Sequence, residues 1–257
     1  MTVELAVEEI GTGPPLLLMH GLYGSGSNWR RIAKALSDGR RVISVDLRNH
    51  GASPWAATMT YHEMAGDVVA LIDRLGLEAP AILGHSMGGK VAMTVALTQP
   101  SRVGRLIVVD IAPVSYGDRF SGFTAAMRGV DAARASGRDE IRRTLLSTIP
   151  DERVVGFLMT NLVRQGEQYD WRINLMALAA SMHEIGSWPD ELKTRHYDGP
   201  VAVIAGQRSD YVGEDDRPLF QALFPRAKFA TIADAGHWLH ADQPEAFVAA
   251  VRLALEG

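Results

Sequence analysis

The sequence has 257 residues, 47% of them apolar and 22% charged, with a formal net charge of −4. That is chain enough to bury one large α/β core, and the charge is too mild to predict a nucleic acid or an anionic membrane as partner. No cysteine is present, which excludes disulfides, thiolate metal sites and cysteine catalysis, and suits a reducing compartment.

The opening Met1-Thr2-Val3-Glu4-Leu5 has no basic stretch followed by an apolar core, so no signal or transit peptide is expected. The apolar runs are far shorter than the roughly 20 residues needed to span a bilayer. The expectation is a soluble cytoplasmic protein. Short apolar runs recur at 16–19, 42–45, 81–83, 106–109, 201–205 and, more weakly, 228–232. They lack polar alternation, as strands do when helices cover both faces. Helical stretches are predicted at 29–37, 61–75, 87–98, 216–223 and 243–255. Strand alternating with helix predicts a mostly parallel sheet with right-handed crossovers. For the last helix, Asp242 and Glu245 stand in capping-box spacing around Pro244.

One interval breaks this rhythm. From 114 to 196 no buried-strand pattern occurs, and the text reads as helical. Nine arginines between Arg119 and Arg172 are nearly balanced by acidic residues, which fits a solvated helical face better than an anion site. Residues 114–196 are therefore expected to form a helical lid inserted into a core of 1–113 and 197–257. Apolar lid residues such as Phe120, Phe123, Leu158 and Met176 are of a kind to line an acyl pocket. Packing within the lid accounts for them equally well, so none is assigned to substrate.

The most informative string is Gly84-His85-Ser86-Met87-Gly88-Gly89, between a buried strand and a helix. A G-x-S-x-G match there predicts a nucleophile elbow, a strained strand-to-helix turn that lifts the Ser86 hydroxyl above the sheet edge. The helix behind it aims its N-terminal amides and dipole at negative charge beside the serine. His20-Gly21-Leu22 follows the strand at 16–19, so the backbone N–H groups of Leu22 and Met87 are the candidate oxyanion donors. Among eight histidines, His237 lies after the last strand, where a general base is expected. His237 and His240 have no accompanying carboxylate set that would suggest a metal. His20 reads as a loop residue, and His85 as pointing away from the site. Two carboxylates, Asp110 and Asp210, follow strands that reach the same sheet edge. Asp46, Arg48, Asn49 and Ser53 are expected to organise the loop after the second buried strand.

These strings, with Asp46-Leu47-Arg48-Asn49-His50-Gly51-Ala52-Ser53 and Gly236-His237, resemble the α/β-hydrolase superfamily. More narrowly, Arg48-Asn49-His50-Gly51, Gly89-Lys90, Asp110-Ile111-Ala112-Pro113-Val114 and Trp171-Arg172-Ile173-Asn174 are similar to a group of small lid-bearing bacterial esterases with mitochondrial relatives. The resemblance implies a mostly parallel sheet flanked by helices, and a serine esterase needing no cofactor or metal. Many superfamily members carry the acid after the penultimate strand, which aligns with Ser209 here and leaves Asp210 one residue out of register. In the narrower group the acid follows the preceding strand, which implies Asp110 beside Ser86 and His237. The implied substrates are small, fairly apolar esters. C–C bond hydrolysis, perhydrolysis and a ligand receptor built on the same pocket are the alternatives.

Overall fold

The computed structural model describes residues 1–256. Seven strands form the central sheet: β1 (Val7–Ile10), β2 (Pro15–Met19), β3 (Arg41–Val45), β4 (Ala81–His85), β5 (Arg105–Val109), β8 (Val201–Gly206) and β9 (Ala227–Ile232). Their order is β1-β3-β2-β4-β5-β8-β9. All neighbours run parallel except β1, which lies antiparallel against β3.

The four residues Leu16, Leu17, Leu18 and Met19 of β2 are fully buried, because helices cover both faces of the sheet. On one face lie α2 (Tyr61–Arg74) and α3 (Met87–Thr98), within a core that continues into the segment between β5 and β8. On the other, α1 (Arg30–Leu36) and α11 (Pro244–Glu256) pack over Leu18, Leu83 and Val109. The helix α9 (Arg217–Leu223) precedes β9, and the short α10 (Leu239–Asp242) precedes α11. No helix among the described residues is long and apolar enough to cross a membrane.

Between β5 and β8 lie α4 (Ser121–Gly129), α5 (Arg138–Leu146), α6 (Glu152–Leu158), α7 (Leu175–Ala180) and α8 (Met182–Gly186). The helical expectation for this segment needs correction, because it also contains a hairpin of β6 (Leu162–Gln165) and β7 (Gln168–Trp171). Only its base is buried, where Leu162 faces Trp171, so it lacks the apolar run that marks a central strand. The segment is moored to the core by polar contacts. Tyr61 Oη donates to Ile185 O at 2.6 Å, Asn161 Nδ2 to Tyr23 O at 2.7 Å, and Asn174 N to Asn49 O at 3.0 Å.

Lys90, 1% exposed, donates from Nζ to Ser187 O at 2.8 Å and Gly186 O at 3.2 Å. Burial pulls its ammonium down to about 7. The two carbonyls, and the faces of Tyr61 and Tyr116 at 5.5 and 4.9 Å, favour the charged form.

The cap expected at Asp242 is also different. Its carboxylate accepts the Gly236 N–H at 2.8 Å and meets Arg153 at 2.5 Å, while Glu245 pairs with Arg31. The carboxylate thus ties α10 to the loop carrying His237 and to α6.

Candidate active site

At the end of β4 the chain turns sharply into α3. Ser86 sits at φ 53°, ψ −121°, a strained combination for a residue with a side chain. The turn is held by Ser86 N–H donating to Val109 O at 3.0 Å, and by Gly89 N–H donating to Ser86 O at 2.8 Å. A Cβ at Gly84 would collide with the Gly88 carbonyl, so the turn closes only with glycine there.

Asp110 follows β5, also at positive φ (52°), and is fully buried. Three donors converge on its carboxyl group. Gly206 N–H reaches Oδ1 at 2.9 Å, while His237 Nδ1 and the Ser209 hydroxyl reach Oδ2 at 2.8 and 2.5 Å. A neutral imidazole that donates from Nδ1 keeps its lone pair on Nε2. Asp210, the competing carboxylate, points outward, 73% exposed, and pairs with Arg119. The one-residue offset therefore decides direction: Ser209 turns inward to Asp110, and Asp210 turns to the surface.

His85 differs from expectation. Its ring packs 4.7 Å from that of His237, and Nε2 donates to the His237 carbonyl at 2.8 Å. Burial drives the His85 imidazole well below its ordinary range, which keeps it a neutral donor. Tyr211, which sequence reasoning passed over, stacks on the His237 ring at 4.0 Å with 24° between planes. Its place one residue after Asp210, in the string scanned for an acid, was the available signal. His240 packs its ring 4.8 Å from Trp29, as a structural histidine would.

The loop residues behave as expected. His20 Nδ1 donates to Gly21 O at 2.8 Å, and Nε2 accepts from Leu47 N at 3.0 Å. Asp46 Oδ1 accepts from Gly26 N at 2.6 Å, and Ser53 Oγ donates to Asp46 O at 2.5 Å. Asn49 Oδ1 accepts from Ala56 N at 2.8 Å, and Arg48 grips Asp67 at 2.6 and 2.9 Å.

Ser86, His237 and Leu22 open on one cavity of about 480 Å³. Met87 is the first residue of α3, so its N–H has no acceptor within the helix. Phe120, Phe123 and Leu158 line this cavity, joined by Val154, Phe157 and Trp238. Met176 does not line it and is 65% exposed. No cluster of three or more potential metal ligands occurs among the described residues.

A family model described as alpha/beta hydrolase fold matches residues 14–244. The chain belongs to the α/β-hydrolase family. Similar hydrolases include the sn-1-specific diacylglycerol lipase ABHD11 of Danio rerio, 41% identical over 249 residues, covering 94% of this chain and 78% of that one. Esterase YbfF of Escherichia coli K12 is 36% identical over 239 residues, covering 93% and 91% of the two chains. Among solved structures, a marine microorganism esterase superposes with a TM-score of 0.95 at 38% identity, covering 98% of this hydrolase and 99% of its own chain.

Proposed function

We propose that this hydrolase is a serine carboxylesterase, with Ser86 as nucleophile, His237 as general base and Asp110 as the acid that orients it. The observation that carries this reading is the His237 Nδ1–Asp110 Oδ2 hydrogen bond of 2.8 Å, on a cavity shared by His237 and the elbow serine. His237 Nε2 takes the proton from Ser86 Oγ as the oxygen attacks the ester carbonyl. Asp110 holds the imidazole in the required tautomer and stabilises the imidazolium. The tetrahedral oxyanion accepts hydrogen bonds from Leu22 and Met87 N–H, each worth about 3–4 kcal/mol in the transition state. The imidazolium then protonates the leaving alkoxide, leaving an acyl-enzyme. Water, deprotonated by the same imidazole, releases the carboxylic acid and restores Ser86. Apart from the ester and that water, these steps use only groups of the chain.

Residues 114–196 serve as the lid, with 1–113 and 197–257 as the core. The aromatic and aliphatic lid wall favours small to medium apolar acyl groups, in keeping with relatives named esterase and lipase. The absence of cysteine suits a reducing compartment such as the cytoplasm.

The test is turnover of p-nitrophenyl acetate together with labelling by a fluorophosphonate. Ser86→Ala is expected to lose labelling and to lower kcat by about 10⁴-fold or more. Asp110→Asn is expected to lower kcat by orders of magnitude, while Asp210→Asn lowers it by less than about tenfold. The reverse order of the two asparagine variants refutes the acid assignment.

A further inference from the structure

Two rings pack on that of His237. His85 lies tilted by 41° at 4.7 Å between centroids, and Tyr211 is stacked at 4.0 Å. The Arg119 guanidinium lies 4.8 Å from the Tyr211 ring centroid, held by two contacts of 2.9 and 3.1 Å to Asp210. The backbone of Tyr211 is pinned as well. Tyr116 Oη donates to Tyr211 O at 2.6 Å and accepts the Ala112 N–H at 2.9 Å. Tyr116 and Arg119 both belong to the inserted segment. Tyr211 is absent from the lining of the catalytic cavity, so its reach to the chemistry runs through the imidazole.

The hydrogen bond to Asp110 fixes one atom of the His237 ring, and the tilt of the ring plane is left to the side chains packed on it. A ring stacked at 24° supplies the missing constraint, and aromatic contact of this kind is orientation-dependent. The Arg119 guanidinium, 4.8 Å from the ring centroid, helps keep the tyrosine ring in place by cation–π attraction. We infer that Tyr211 is a positioning residue for the general base, and that Arg119 and Tyr116 make this positioning depend on docking of the inserted segment. The inference rests on His237 being the base. Its consequence is that an undocked lid both uncovers the cavity and releases the imidazole from alignment. Misplacing a catalytic group by about 1 Å can cost 10²-fold in rate.

The experiment compares Tyr211→Phe, Tyr211→Leu, Arg119→Met and His237→Asn, each first checked for a native thermal transition. The readouts are kcat and KM for p-nitrophenyl acetate, and the low-field proton NMR signal of His237 Nδ1–H in its bond to Asp110. Tyr211→Leu is expected to lower kcat about 10- to 100-fold with KM within about threefold, and to broaden or abolish the low-field signal. Tyr211→Phe, which keeps the stacked face, should restore kcat to within about threefold and recover the signal. Arg119→Met should fall between them, and it carries the test if Tyr211→Leu does not fold. If Tyr211→Leu, or Arg119→Met in its place, retains kcat within twofold with the signal intact, the inference is wrong. Equal loss in Tyr211→Phe and Tyr211→Leu overturns it too, since the hydroxyl rather than the stack would then matter. Turnover surviving in His237→Asn refutes the underlying triad, an outcome separate from either of these.

Discussion

In the sheet core, Arg48 and Asp67 meet with both side chains 1% exposed, and the guanidinium also reaches the carbonyls of Thr58, Met1 and Glu63. At the edge of the insertion, Arg153, 66% exposed, reaches across to Asp242 on the core. The two ion pairs have the same chemistry and opposite surroundings. In the first, water is excluded and every donor must find a partner within the protein. In the second, Asp242 is only 14% exposed but Arg153 lies in solvent, where water and salt can take over from its partner. The Arg48 pair is therefore intolerant of a lost partner, whereas the Arg153 contact can open alone while the moorings at Tyr61, Lys90 and Asn161 hold the insertion.

Acid should separate the two regions most strongly. Burial depresses His20 and His240 to about 4, His50 to about 3, and His85 well below its ordinary value, all four in the core. His183, within the insertion, is exposed. In the unfolded chain these imidazoles protonate near pH 6.5. Between there and about pH 4 the unfolded state binds more protons, so stability is full above pH 6.5 and is lost as pH falls toward 4. By pH 5 each neutral imidazole withdraws up to about 2 kcal/mol. The unfolding midpoint in urea should drop sharply between pH 7.5 and 5, and an unchanged midpoint would break the comparison at its base.

A smaller effect follows from Asp67→Ala, which strands the Arg48 guanidinium in the core. Equilibrium unfolding should register a loss of about 3–5 kcal/mol. A loss under 1 kcal/mol would mean that water reaches Arg48 after all. Smallest is Arg153→Ala, expected to cost about 0.2–1 kcal/mol while speeding limited proteolysis of the insertion. A global loss as large as that of Asp67→Ala would show the insertion to be as integral as the sheet.

How much of this could be read beforehand follows the same division. The strands at 16–19 and 106–109 were legible because burial on both faces forces uninterrupted apolar runs, and α3 was placed at its observed bounds by the elbow before it. The Ser86 turn was legible because its geometry restricts residue type at Gly84. β1 was missed because it is an edge strand carrying Glu8 and Glu9, without the apolar run of its neighbours. The β6–β7 hairpin was missed because Arg164 through Gln168 face solvent, leaving only Gly166 at φ 63° to mark its turn. Tyr211 and His85 escaped as partners of His237 because stacking pairs residues 26 or more positions apart, which no local spacing records. Asn49 and Asn174 were each singled out in separate strings; that the two meet is visible only in three dimensions.

The grip on Asp110 by Gly206 and Ser209 bears on where a carboxylate can stand. The carboxyl group is rooted after β5, yet two of its three donors come from the end of β8 and the turn beyond it. An imidazole responds to where the oxygen atoms lie, whichever backbone carries them. With a hydroxyl already touching the oxygen that His237 uses, a carboxylate carried at position 209 would reach the same imidazole from the neighbouring strand.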